Sequence, residues 1–206
     1  MKAPLRLLGY SALAALLGAC SILPKAETPD IYLLPAQQQP PRATPAVDWS
    51  LRVLAPRASQ VLDSNRIAVQ PRGDLLSVYK GARWADGAPP LLRDRLLDAF
   101  RADGRIQALS SDEVSLQADL ELGGDLRAFQ AEYRDKGVEA VVILEARLVR
   151  SATQRIIATR RFEVRQPSAG EKVPEVVTAF GQATDRLAAE VVGWTLQQGQ
   201  AQKFER

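Results

Sequence analysis

The chain has 206 residues, 46% hydrophobic and 25% charged, with 27 basic and 24 acidic side chains and a formal net charge of +3. It contains no histidine and a single cysteine, which excludes histidine-based triads, the H-E-x-x-H metal motif, thiolate metal clusters and intrachain disulfides. No run of like charges appears, so no nucleic-acid footprint is expected.

Met1–Leu17 joins Lys2 and Arg6 to the apolar run Leu7–Leu17, and Gly18-Ala19-Cys20 follows. A positive n-region, a short h-region and small residues at a cleavage site form a secretory signal over residues 1–19. The run is too short for a transmembrane helix, which needs about 20 apolar residues. Leu17-Gly18-Ala19-Cys20 resembles a bacterial lipobox. In such a sequence the Cys20 thiol accepts a diacylglyceryl group, and the new amino terminus is then acylated as well, with a palmitate-type chain. One acyl chain holds a membrane marginally and two hold it stably, so Cys20 is predicted to be a lasting lipid anchor. An ordinary signal followed by an incidental cysteine is the alternative. Lys2 and Arg6 leave with the signal, so the 27 basic side chains fall to 25 against 24 acidic ones. In the sorting logic of many Gram-negative bacteria, a residue such as Ser21 after the lipidated cysteine directs a protein to the outer membrane. Inner-membrane anchoring is the other outcome.

Residues 20–48 read as a lipidated tether. Within it, Ile31-Tyr32-Leu33-Leu34 is a brief edge strand closed by Pro35, and Pro35–Val47 is a Pro/Gln-rich linker with four prolines. The folded domain is expected over 49–199, with a tail at 200–206. Trp49–Ala55, Arg66–Gln70 and Leu75–Tyr79 alternate as half-buried strands, the last two joined by a turn at Pro71-Arg72-Gly73-Asp74. Pro89-Pro90 open a helix with Leu92, Leu96, Ala99 and Phe100 on one face. Gly104 is placed to close it in the left-handed conformation, and Ile106–Leu109 is a short extended segment.

The second half alternates more strictly. Val138, Ala140, Val142, Leu144, Ala146 and Leu148 share one parity, as do Ile156, Ala158, Phe162 and Val164. Ser151–Gln154 is the turn of this antiparallel hairpin. The preceding strand, within Ala118–Tyr133, changes phase: Leu120, Leu122 and Leu126 are even, Phe129, Ala131 and Tyr133 odd. That demands a bulge or bend, expected near Gly123-Gly124. Pro174–Gln198 is a long amphipathic helix whose apolar face includes Val176, Val177, Phe180, Leu187, Val191 and Trp194. Its mixed polar face (Glu175, Asp185, Arg186, Glu190) marks a helix lying on the sheet rather than on lipid. The fold class is α+β: a mostly antiparallel sheet with two helices packed on one face, a single domain behind a lipid anchor.

Chemistry has few candidates. Asp112-Glu113 and Glu132 with Asp135 are the nearest approaches to an acid–base pair, and both read as solvated charges at turns. Ser77…Lys80 spells S-x-x-K on a strand, without the helix or companion motifs that chemistry requires. No catalytic residue, metal ligand or cofactor is therefore expected, and the protein reads as a non-enzyme. Arg83 and Trp84, at the strand–helix junction, are candidate partner-binding residues because Trp and Arg are enriched at interface hot spots. The competing reading makes Trp84 a staple onto the core.

Taken together, the lipidated Cys20, the Tyr32-Leu33 strand, the Pro-rich gap and Arg83-Trp84-Ala85…Pro89-Pro90-Leu91-Leu92 resemble the ABC-type transport auxiliary lipoprotein family. Leu148…Ile157-Ala158-Thr159-Arg160-Arg161-Phe162 and Val176-Val177-Thr178-Ala179-Phe180…Ala183 add to the likeness. Leu62-Asp63-Ser64-Asn65-Arg66 only approximates the family's pattern. The resemblance implies a periplasm-facing component of an MCE-type lipid transport system, with phospholipid as the cargo. It would dock the MCE protein at the outer membrane and, through it, work with an ABC permease and ATPase. A homo-oligomer is compatible with that role. The alternatives are an independent carrier holding a lipid between the long helix and the sheet, and, as a foil, an envelope hydrolase using Asp/Glu pairs.

Overall fold

The structure, a computed structural model, describes residues 28–36, 46–114 and 116–202. The signal segment, Cys20, most of the Pro/Gln linker and the last four residues lie outside them. In chain order the described residues form β1 (Asp30–Tyr32), β2 (Leu51–Val53), β3 (Arg57–Ala58), β4 (Arg66–Arg72) and β5 (Leu75–Trp84). There follow α1 (Ala88–Asp103), β6 (Leu109–Ser111), β7 (Leu120–Arg134), β8 (Gly137–Arg150), β9 (Arg155–Pro167) and α2 (Val173–Gln200).

β7 is the spine of the sheet. One of its edges pairs antiparallel with β8 from Leu120↔Arg150 to Arg134↔Gly137, and β8 pairs antiparallel with β9. The other edge receives three short strands in succession, all parallel to it. β2 sits against Leu120–Leu122, β3 against Asp125–Leu126 and β4 against Gln130–Glu132. β5 returns antiparallel along β4, β1 lies parallel to the end of β5, and β6 lies parallel to β2. The long pairings are antiparallel and the parallel ones are two or three residues long, so the α+β, mostly antiparallel class is the one observed.

Alternation explains which face is covered. The even residues Val138 to Leu148 of β8 and the apolar residues Phe162 and Val164 of β9 are buried beneath the helices. Ile156, expected on the same face, is instead 54% exposed, because the β8–β9 register shifts between Leu148 and Val149 and sets it opposite Val149. From α2, Val176, Phe180, Leu187 and Val191 reach full burial on the same core; from α1, Leu92, Leu96, Leu97 and Phe100 join it. Each such side chain contributes about 1.5–3 kcal/mol by leaving water. α1 begins as expected, with Pro89 and Pro90 in its first turn, and ends at Gly104, whose φ is 77°.

The phase change in β7 is real but is built differently from expectation. The register slips between Leu126 and Ala128, so Arg127 is the bulged residue that moves the apolar set from even to odd positions. The Gly pair serves another need. A Cβ on Gly124 would run into the Glu145 carbonyl of β8, and its φ of 156° disfavours any other residue. β6 also differs: it spans Leu109–Ser111, not 106–109, and Ile106 is buried just before it. β6 is positioned by pairing Leu109 with Leu51, a contact with no local signature.

Candidate interaction surfaces

The junction of β5 and α1 separates the two residues singled out there. Alternation along β5 turns Ala82 and Trp84 inward and Arg83 outward. Trp84 is 1% exposed, its indole edge-on to Phe129 (5.3 Å is its distance to Phe180, 5.9 Å to Phe129), while Phe129 and Phe180 stack at 5.0 Å. An indole enclosed in that way offers nothing to a partner, so the expectation of a docking Trp84 is corrected and the core staple is what the structure contains. The parity shared by Ala82 and Trp84 was the signal for it. Arg83 stays exposed.

A second arrangement, invisible in the periodicity, locks the start of the domain. Arg95 of α1 is buried at 8% exposure. Its Nη1 donates to Asp185 Oδ1 of α2 at 2.7 Å, and its Nη2 donates to the carbonyls of Leu34 (2.9 Å) and Pro35 (2.6 Å). Gly181 of α2 makes room for this: a Cβ there would stand 2.7 Å from the Pro35 carbonyl oxygen. The Ala85 N–H donates to the Tyr32 carbonyl at 2.9 Å. Tyr32, Leu34 and Pro35, inside the span expected as tether, are thus pinned to both helices and to β5. On a helix of mixed charge, Arg95 reads as one more solvated cation, which is why sequence reasoning missed it.

The sheet face away from the helices is a lattice of ion pairs. Arg165 bridges Glu132 (2.8 Å) and Glu163 (3.0 Å), Arg161 bridges Glu163 (3.0 Å) and Glu145 (3.6 Å), and Arg127 reaches Glu145 at 2.9 Å. Arg134 also pairs with Glu132. Ala128, Val141 and Ile143 are buried on this face in a small cluster of their own, as expected where long charged side chains lay their stems over aliphatic ones. Burial pushes the Glu132 carboxyl up, but the hydrogen bonds from Arg165 and Arg134 outweigh it and hold the group below its ordinary range. The Arg161 hydrogen bond, aided by Arg165, likewise lowers Glu163.

The acid–base candidates are tied into structural pairs. Arg93 donates to Asp112 Oδ1 (3.0 Å) and Glu113 Oε1 (2.7 Å), and Asp112 Oδ2 accepts from the Ala55 N–H at 3.0 Å. Glu132 belongs to the lattice above, and Asp135 stands exposed in the β7–β8 turn. Ser77 and Lys80 lie on β5, a strand. A cleft of roughly 860 Å³ opens beside the β8–β9 turn, but its Ser50–Asp119 and Arg52–Glu121 contacts are internal to the protein. Among the described residues no group of three or more acidic side chains is placed to hold a metal, and no helix is long and apolar enough to cross a membrane.

Similar proteins share this architecture. A Xanthomonas campestris protein of the DUF330 family, known from its crystal structure, is 37% identical with a TM-score of 0.76, over 83% of this chain and 97% of that one. A second crystal structure, of an uncharacterised protein, matches at 18% identity and a TM-score of 0.64 over 82% of this chain and 99% of that one, which shows the fold alone. An uncharacterised Bradyrhizobium diazoefficiens protein is 29% identical over 154 residues, 75% of this chain. The chain spans only 41% of that longer relative. The family described as ABC-type transport auxiliary lipoprotein component matches residues 32–192, from β1 and its Arg95 clamp through the bulged spine into α2, and the chain belongs to that family.

Proposed function

We propose that this protein is the outer-membrane lipoprotein of an MCE-type lipid transport system, anchored through Cys20, that holds the MCE protein at the membrane. Family membership supports a transport auxiliary role. The observation that carries the finer reading is the Arg95 clamp. A protein whose task is to present a docking surface needs its body at a set orientation to its anchor, and Arg95 fixes Leu34 and Pro35 to both helices only fourteen residues beyond Cys20. ATP hydrolysis belongs to another subunit, and phospholipid passes through the MCE partner.

The lipid-carrier alternative finds less support. The space between α2 and the sheet is filled by Phe129, Phe162, Phe180, Leu187 and Trp194, with Phe162 and Trp194 in edge contact at 5.6 Å. A lipid there would have to displace the core.

The test is affinity purification of the lipidated full chain from envelopes of its own organism, beside Cys20→Ser. The wild type is expected to bring down an MCE-domain protein with its permease and ATPase, and mass spectrometry to find acyl chains on Cys20 alone. Recovery of no MCE protein, or an unacylated Cys20, counts against the proposal.

A further inference from the structure

We infer that the β1 end of the sheet lies against the membrane surface, with Ile31 and Leu33 entering the headgroup layer and Arg66 and Arg83 meeting anionic lipid phosphates. The inference rests on the reading of Cys20 as a lipid anchor.

Ile31 and Leu33, at 70% and 76%, are the most exposed large hydrophobic side chains among the described residues. Their exposure is imposed by the fold. Tyr32 and Leu34 turn inward to pack on the core, so alternation turns Ile31 and Leu33 outward, and the Arg95 bonds to Leu34 and Pro35 keep the segment from rotating.

The register adds charge to this apolar strip. Ile31 is paired with Arg83, and Arg83 with Arg66. Directly opposed residues project from the same face, so an isoleucine and two arginines form one row across three strands. Both arginines are exposed. Among the described residues neither makes an ion pair, whereas Arg127, Arg134, Arg161 and Arg165 of the open lattice all do. Asp30 takes the opposite parity to Ile31, and the Asp86 carboxylate accepts from the Gly87 N–H at 2.6 Å.

Unpaired cations beside exposed aliphatic side chains suit an anionic bilayer, whose surface potential attracts Arg and whose interface accepts Ile and Leu. The tether selects this bilayer as the occupant. Asp30 lies ten positions after Cys20, a reach of about 35 Å at full extension, so this strip stays within that distance of the leaflet that takes the acyl chains.

The single native cysteine, once acylated, leaves an introduced thiol as a unique labelling site. The mature lipoprotein carrying Leu33→Cys, Asn65→Cys or, on β9 at the opposite edge of the sheet, Ile156→Cys is labelled with an environment-sensitive fluorophore. It is then reconstituted into phosphatidylglycerol–phosphatidylcholine vesicles that contain a lipid-borne quencher. Labels at 33 and 65 are expected to be quenched several-fold more than the label at 156. Arg66→Glu with Arg83→Glu is expected to abolish the difference while flotation with vesicles persists. Equal quenching at all three sites with flotation intact overturns the apposition and leaves the anchor standing. Quenching at 33 without quenching at 65 reflects the tether alone and also overturns it. Failure of the wild type to float overturns the anchor and the apposition with it. Efficient disulfide cross-linking of unlabelled Leu33→Cys copies in detergent assigns the strip to a second copy of the chain, and the proposal falls.

Discussion

Arg95 and Asp185 meet at 2.7 Å between the two helices, both largely out of water, and the same guanidinium holds the carbonyls of Leu34 and Pro35. One side chain therefore ties α1, α2 and the first strand together. The link is costly to break because removing either ion takes a charge-assisted hydrogen bond from a side chain largely out of water.

Arg95→Leu is expected to cost about 3–5 kcal/mol, the range for breaking a buried ion pair from one side. Its distinctive effect is local. The Ala85 N–H, bonded to the Tyr32 carbonyl, should lose its hydrogen-exchange protection well before the β7–β8 amides do. Unchanged exchange at Ala85 means that the clamp does not hold β1.

Trp84→Ala should lower the melting temperature sharply, at about 3–5 kcal/mol for a buried aromatic truncated to alanine. The loss includes edge contacts with Phe129 and Phe180. Chemical denaturation measures it. A variant as stable as the wild type would contradict the burial of the indole.

Leu187→Ala and Phe162→Ala, at fully buried positions on α2 and β9, are each expected to cost about 2–5 kcal/mol. Ile156→Ala, in the same hairpin but more than half exposed, should stay within about 0.5 kcal/mol. Ile156 shares the parity of Phe162 but is turned to the other face by the register shift between Leu148 and Val149. Urea titration of the Phe162 and Ile156 variants checks that shift: an unbroken register would bury both and make Ile156→Ala costly as well.

Glu132 gives the lattice a pH dependence. Its carboxyl is held below its ordinary value by Arg165 and Arg134, so the folded state binds its proton more weakly than the unfolded chain. The stability this contributes is present in full above the unfolded carboxylate range and is lost as pH falls through the folded value. Glu132→Gln should therefore flatten part of the acid limb of a stability–pH curve while lowering stability near neutral pH. An acid limb identical to that of the wild type would show that the pair contributes no linkage.

Much of the architecture was legible in the residues. The β8–β9 hairpin, the two helices and the face change within β7 follow from periods of 2 and 3.6, because burying one face of an element writes that period into its own sequence. Gly104 and Pro89-Pro90 marked the ends of α1 for equally local reasons. Three features were decided only by tertiary structure. The first is the succession of β2, β3 and β4 along one edge of β7, with partners some 60 to 70 residues away. The second is the division of labour at residues 124 and 127, where a close approach required the glycine and the bulge fell three residues later. The third is the fate of single side chains. Trp84 went to the core and Arg95 to a buried clamp, while Arg66 and Arg83 came together on the surface. A residue type states what contacts it can make; which contacts it does make depends on neighbours that only the folded chain brings within reach.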